Sequence, residues 1–157
     1  MTWQPIAEVR IEPLPPDWPA DLARLLGERP RRLGPWTELA LYGALRCLAA
    51  AGQATLPAGA QLRVASLSGP ALATAALLAQ ARDGGPMPFT FLQSQPSQML
   101  AALARALHWQ GDARFVLCRD APALRALAEL ETSGDDLLLG WVEEHHGTHW
   151  QWLRRGT

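Results

Sequence analysis

Apolar positions along the chain switch between a period of two and a helical period, and the switches mark its elements. Residues 3–12, WQPIAEVRIE, alternate loosely, with Ile6, Val9 and Ile11 supplying β-propensity, and predict a first strand. A proline-rich connection over 13–19 leads into a short helix over 21–27, capped by Asp17, with Leu22, Leu25 and Leu26 on one face. Leu39, Tyr42, Gly43 and Leu45 to Leu48 form the stripe of a helix over 36–51, which Gly52 ends. Residues 62–67, LRVASL, read as a second strand. The alanine- and leucine-rich run that follows reads as a helix to Arg82, broken by Asp83-Gly84-Gly85-Pro86. Phe89 to Gln93 is expected to be extended or irregular, and Ser94 or Ser97 then caps a helix through Leu107.

The stretch 111–124, GDARFVLCRDAPAL, reads as a buried strand, Arg114 to Cys118, breaking directly into a helix over 123–130. Asp120 is a good N-cap, and Pro122 is tolerated in a first turn. Asp136 to Val142 is a nearly continuous apolar strand of the kind buried on both faces. With His146-Gly147 as a two-residue turn, His149 to Leu153 returns antiparallel to it. That register sets residue 141 opposite 152 and 143 opposite 150, which puts Trp141, Trp150 and Trp152 on one face. It also sets Glu144 against His149 and His145 against Thr148. Strands alternating with helices predict one α/β domain over 1–157: a five-stranded mixed, mostly parallel sheet, helices on both faces, and a C-terminal β-hairpin.

Composition narrows the chemistry. The chain has 157 residues, 48% of them hydrophobic, and a net charge of −1, so neither nucleic acid nor an anionic membrane is an expected partner. It contains no lysine, which excludes a Schiff-base lysine or a P-loop lysine, and no cofactor is expected. Cys47 and Cys118 form no CxxC pair and suit a reducing cytoplasm. The N-terminus lacks the pattern of a signal peptide, and the alanine-rich runs are too short or too interrupted to span a bilayer.

A strand that breaks into a helix is where many α/β enzymes hold a nucleophile, because free N–H groups there can stabilise an oxyanion. Here the bend carries Asp120, with Cys118 two positions earlier. Cys118 is either a nucleophile in need of a base or a buried thiol that packs as a small hydrophobe. His145 and His149 would share a helix face and could bind zinc, although HExxH is absent; as turn residues they need no metal. Arg29, Arg31 and Arg32 either grip a phosphate or an acidic helix, or stand solvated.

Three stretches carry a resemblance: Arg31-Arg32 before the first long helix, VASLSGP at 64–70, and PMPFTFLQSQPSQMLAALARAL at 86–107. With the order of elements, they resemble the N-terminal half of a β-ketoacyl synthase of the thiolase superfamily, in the chain-length-factor-like branch of aryl-polyene type pathways. In that family the nucleophilic cysteine stands nine positions after the glycine that opens the central strand. Counting from Gly111 puts Asp120 there. A carboxylate cannot form the thioester that acyl transfer needs. The resemblance implies that two catalytic histidines, or a histidine and an asparagine, come from a second half-domain, which would be expected to begin where this chain stops at Thr157.

The resemblance therefore implies a non-catalytic accessory protein of fatty-acid or polyketide chain building, paired with a synthase or with itself. The strand before the bend would lie at the sheet edge, with Phe115, Val116 and Leu117 at a dimer interface, and Arg29, Arg31 and Arg32 would meet an acyl carrier protein. Two alternatives stand beside it. One is a small cytoplasmic thioester hydrolase using Cys118 or the His145/His149 cluster, and the other is a carrier-protein binding module.

Overall fold

The computed structural model describes residues 2–85 and 87–157; Pro86, in the expected break, lies outside the described residues. Strands β1 (Trp3–Ile11), β2 (Gln61–Ser66), β3 (Ala113–Leu117), β4 (Asp136–Glu143) and β5 (Gly147–Arg155) form one sheet in the order β1-β5-β4-β2-β3. β2 pairs in parallel with both β3 and β4, while β5 runs antiparallel to β4 and β1. Four strands thus point one way and β5 alone is reversed. Helices α1 (Trp18–Leu26), α2 (Pro35–Ala50), α3 (Ala71–Arg82), α4 (Pro88–Gln93), α5 (Pro96–Ala106) and α6 (Ala121–Glu131) complete the chain.

Strand alternation sorts side chains onto two faces. Leu62, Val64, Leu138, Val142, Trp150 and Trp152 join α2 and α5 in the larger core. Ala65, Leu137, Leu139 and Leu153 meet Leu124 and Ala128 of α6 in a smaller one. The seat of α2 on the sheet depends on two glycines. Trp150 lies against Gly43 of α2 and Gly140 of β4, and a Cβ at either position would run into its indole. Trp36 closes the other end of this layer, donating to the Val142 carbonyl at 3.1 Å and meeting Phe115 edge-on. Gly52 ends α2 as expected: its φ is +66°, its N–H reaches the Ala49 carbonyl, and that of Gln53 reaches Leu48, the paired bonds of a Schellman motif.

Two expectations are corrected. Phe89 to Gln93 is helical, within α4, not extended. Pro88 presets the first turn, and Gln80 of α3 holds the segment by accepting from Met87 N at 2.9 Å and donating to Thr90 Oγ1 at 3.1 Å. Those bonds outweigh the β-propensity of two phenylalanines and a threonine. The hairpin, second, closes through Glu144, His145 and His146, with Glu143 opposite Gly147. Trp141 therefore pairs with His149, and Trp150 with Gly140. The odd shift in register sends Trp141 to the α6 face, while Trp150 and Trp152 stay in the larger core.

Candidate functional site

The carboxyl ends of β2, β3 and β4 lie side by side. β2 continues into α3–α5, which lead back over the α2 face, and β3 continues into α6 on the other face. Open α/β sheets hold ligands outside the strand ends at such a switch. Here the chain's own carboxylate stands there. Glu143, the last residue of β4, is buried, and its Oε1 accepts from Ser66 Oγ at 2.7 Å, from Ser68 N at 3.1 Å and from Leu67 N. Ser66 Oγ in turn accepts from Gly69 N at 2.7 Å. Successive N–H groups of this kind form an anion cradle, and Glu143 fills it. Glu144 takes the next donor, Leu72 N at the start of α3, at 3.0 Å, and burial holds its carboxyl above the usual range. The sequence places Glu143 only in a cluster of possible metal ligands with His145 and His149, not in this role. Its signal was a carboxylate closing an otherwise apolar strand, DLLLGWVE.

The bend after β3 holds Asp120 as a helix cap, with Cys118 beside it. Asp120 is extended, with φ −158° and ψ 167°, and its Oδ1 caps α6 by accepting from Ala123 N at 2.8 Å. Its other oxygen faces Arg119 at 3.2 Å. Cys118 is half-buried, with its sulfur 3.7 Å from the Asp120 carbonyl. Cys47 is fully buried, and burial pushes its thiol up to about 12. Among the described residues no histidine bonds to either thiol.

The histidine cluster is not assembled. His145 and His146 are exposed in the hairpin loop. His149 does not meet Glu144; it bonds to Glu8 of β1 at 2.6 Å. That bond, joined by one from Gln151, holds the Glu8 carboxyl below its usual range. No group of three metal-ligating side chains occurs among the described residues.

The arginines lie apart from the strand ends. Arg29 and Arg31 border a groove between α1, α2 and α5, while Arg32 stacks on Phe89 of α4 at 4.9 Å. Arg105 and His108, not singled out from the sequence, border the same groove. Phe115, Val116 and Leu117 lie on β3, which is the edge strand expected and pairs within the chain with β2 alone. Leu117 is 71% exposed.

No family model matches the chain, and no curated protein matches it. Solved structures do. The ishigamide ketosynthase/chain length factor superposes with a TM-score of 0.69 over 97% of this chain, at 13% identity. The chain spans 58% of that protein's length. The ketosynthase ApeO in complex with its chain length factor ApeC, from Xenorhabdus doucetiae, gives 0.64 over the whole of this chain and 78% of its own, at 18% identity. At such identities the likeness is one of backbone arrangement. The chain shares its α/β fold with these ketosynthase and chain-length-factor structures over the matched span.

Proposed function

We propose that this chain is a non-catalytic, chain-length-factor-like subunit of acyl-chain building, of fatty-acid, polyketide or aryl-polyene type, which acts by pairing with a ketosynthase or with a second copy of itself. The observation that carries the proposal is the free edge of β3. A strand with open N–H and C=O groups and the run Phe115-Val116-Leu117 is a template for another strand, and natural proteins cover such an edge. α3 and α4, which follow the neighbouring strand, add unpartnered apolar surface: α3 buries only Ala73, and Leu78, Phe89 and Phe91 stand about half exposed. Asp120 supports the non-catalytic half of the reading, because its carboxylate is used as a cap where the resembling synthases carry their cysteine. Contact of Arg29, Arg31 and Arg32 with an acidic carrier protein belongs to the same reading. The alternative, a thioester hydrolase built on Cys118 or on His145 and His149, would need a base beside the thiol, and among the described residues no histidine bonds to Cys118.

The test is co-expression with a ketosynthase, read by size-exclusion chromatography with light scattering. The wild-type chain should elute as a homodimer or as a synthase complex. Val116→Pro, which removes a donor at the middle of the edge, should release it to monomer or aggregate. A wild-type chain that stays monomeric at high concentration and recovers no synthase would refute pairing. Condensation of acyl and malonyl thioesters by the chain alone would refute the non-catalytic assignment.

A further inference from the structure

The hydrogen bonds that β3 already makes limit how another strand can add to it. Leu62 N donates to the Asp112 carbonyl at 3.0 Å, and Cys118 N donates to the Ser66 carbonyl at 3.1 Å, with Val64 opposite Phe115 between them. Along a strand, the N–H and C=O of alternate residues turn to the same side. Arg114 and Val116 therefore turn theirs to β2, and those of Ala113, Phe115 and Leu117 face the open edge. Side chains alternate too. Phe115 packs edge-on against Trp36 on the α2 face, and Arg114 reaches toward Glu131 of α6 on the other.

The opposite edge of the sheet is blunted. β1 carries Pro5, a register shift between Pro5 and Ala7, and exposed Glu8 and Arg10, all devices that discourage strand addition. β3 has no proline and an unbroken register with β2. An assembly built edge to edge through β3 therefore stops at two copies.

We propose that β3 pairs antiparallel with β3 of a second copy of this chain, on a twofold axis through Phe115. The proposal rests on the reading that β3 is the pairing edge, and it adds the partner and the register. A twofold axis normal to the sheet keeps the α2 helices of both copies on one side and sets one residue opposite itself. With Phe115 on the axis, residue 113 lies opposite 117, and the outward groups of Ala113, Phe115 and Leu117 all find partners. Phe115 meets its own counterpart, and Leu117, 71% exposed, lies against the small side chain of Ala113 in the other copy. Arg114 stands opposite Val116 and diagonal to its own counterpart, with its charge matched by Asp112 at 3.0 Å. The neighbouring registers are worse. An axis through Val116 leaves the outward groups of Ala113 unpaired and sets Asp112 opposite Asp120 at both ends. An axis through Arg114 opposes two arginines, and like charges directly opposite are destabilising. One through Leu117 carries the pairing past the strand into the bend at Arg119 and Asp120. The strand is its own complement in one register only, which favours a second copy over an unrelated strand.

Cysteine scanning of the purified full chain reads the axis directly. Phe115→Cys, Val116→Cys and Leu117→Cys, each with Cys118→Ala, are oxidised briefly and run on a non-reducing gel. In the proposed register the two Cα atoms at position 115 stand about 5.5 Å apart, inside the disulfide range of about 4.4–6.8 Å. Positions 116 and 117 lie two and four residues out of register with their counterparts, about 7–8 Å apart or more. Phe115→Cys should run as a covalent dimer and the other two as monomers. Should Phe115→Cys fail to fold, Ala113→Cys and Leu117→Cys combined in one chain should crosslink between copies, while neither does alone. Covalent dimer from Val116→Cys or Leu117→Cys without any from Phe115→Cys would overturn the register and keep β3 as the pairing edge. A dimeric chain in which none of these cysteines crosslinks would overturn both. A chain that is monomeric by itself and is captured by a ketosynthase would overturn self-pairing and leave the proposed function standing.

Discussion

Arg63 offers a sharp test of how the strand layer is held. It lies in β2 with 1% of its side chain exposed, a permanent charge inside the sheet. Its Nη2 donates to Asp112 Oδ2 at 2.7 Å, and its Nη1 donates to the carbonyls of Leu62 and Asp112 at 3.0 and 3.1 Å. Glu131, the last residue of α6, faces its Nε at 3.7 Å. The partners are not equivalent. Asp112 is about one-third exposed and keeps Arg114 and Gln61 at 3.0 and 3.1 Å if Arg63 is removed. If the Asp112 side chain is removed, Arg63 keeps the two backbone carbonyls and, as its one countercharge, the longer pairing with Glu131 at 3.7 Å.

Asp112→Ala should therefore cost up to about 3–5 kcal/mol, the range for breaking a buried pair, because only the longer Glu131 contact is left to face the buried charge. Arg63→Met should cost only about 1–2 kcal/mol, the loss of hydrogen bonds whose acceptors still reach water or a second donor. The double variant should fall at about 2–3 kcal/mol, well short of the sum, because neither charge is left alone. Urea unfolding followed by tryptophan fluorescence reads these as shifts of midpoint at constant slope. Acid adds a second signature. Burial pushes the Asp112 carboxyl up, but the hydrogen bonds and charges of Arg63 and Arg114 outweigh it and hold it below its usual range. A depressed carboxyl contributes stability that is complete above its unfolded value, about pH 4, and is lost as pH falls through the folded one. Arg63→Met should make that acid-side loss shallower. Equal costs for the two single variants, or an additive double variant, would refute the reasoning.

Two further outcomes follow from the packing. Gly43→Ala should cost at least about 1–3 kcal/mol in thermal or urea unfolding, since its Cβ would strike the Trp150 ring; Trp150→Leu in the same chain should recover part of that loss by opening space. Asp120→Ala should cost about 1 kcal/mol through loss of the α6 cap, while Asp120→Asn keeps most of it. An Asp120→Ala chain as stable as wild type would show that α6 does not depend on its cap.

Local chemistry is why so much of the architecture was legible in the chain. The alternation in LRVASL, the continuous DLLLGWV run, the helical stripe ending at Gly52 and the aspartate before Ala121-Pro122 each specify an element through residues close in sequence. Their order in turn restricts the sheet to a few arrangements, among them the one with β3 at its edge. What depends on partners far along the chain was not legible. Phe89 to Gln93 is a helix because Gln80 holds it, and His149 finds Glu8, 141 residues away, instead of Glu144. The hairpin register was the most consequential case. A turn of three residues instead of two moves Trp141 to the opposite face, and that register goes with the close fit of Trp150 between Gly43 and Gly140 and with the pairing of β5 to β1. The cradle around Glu143 and the groove rimmed by Arg105 and His108 join residues from separate elements. No spacing within one segment encodes such sites, because the distances that define them exist only once the layers have packed.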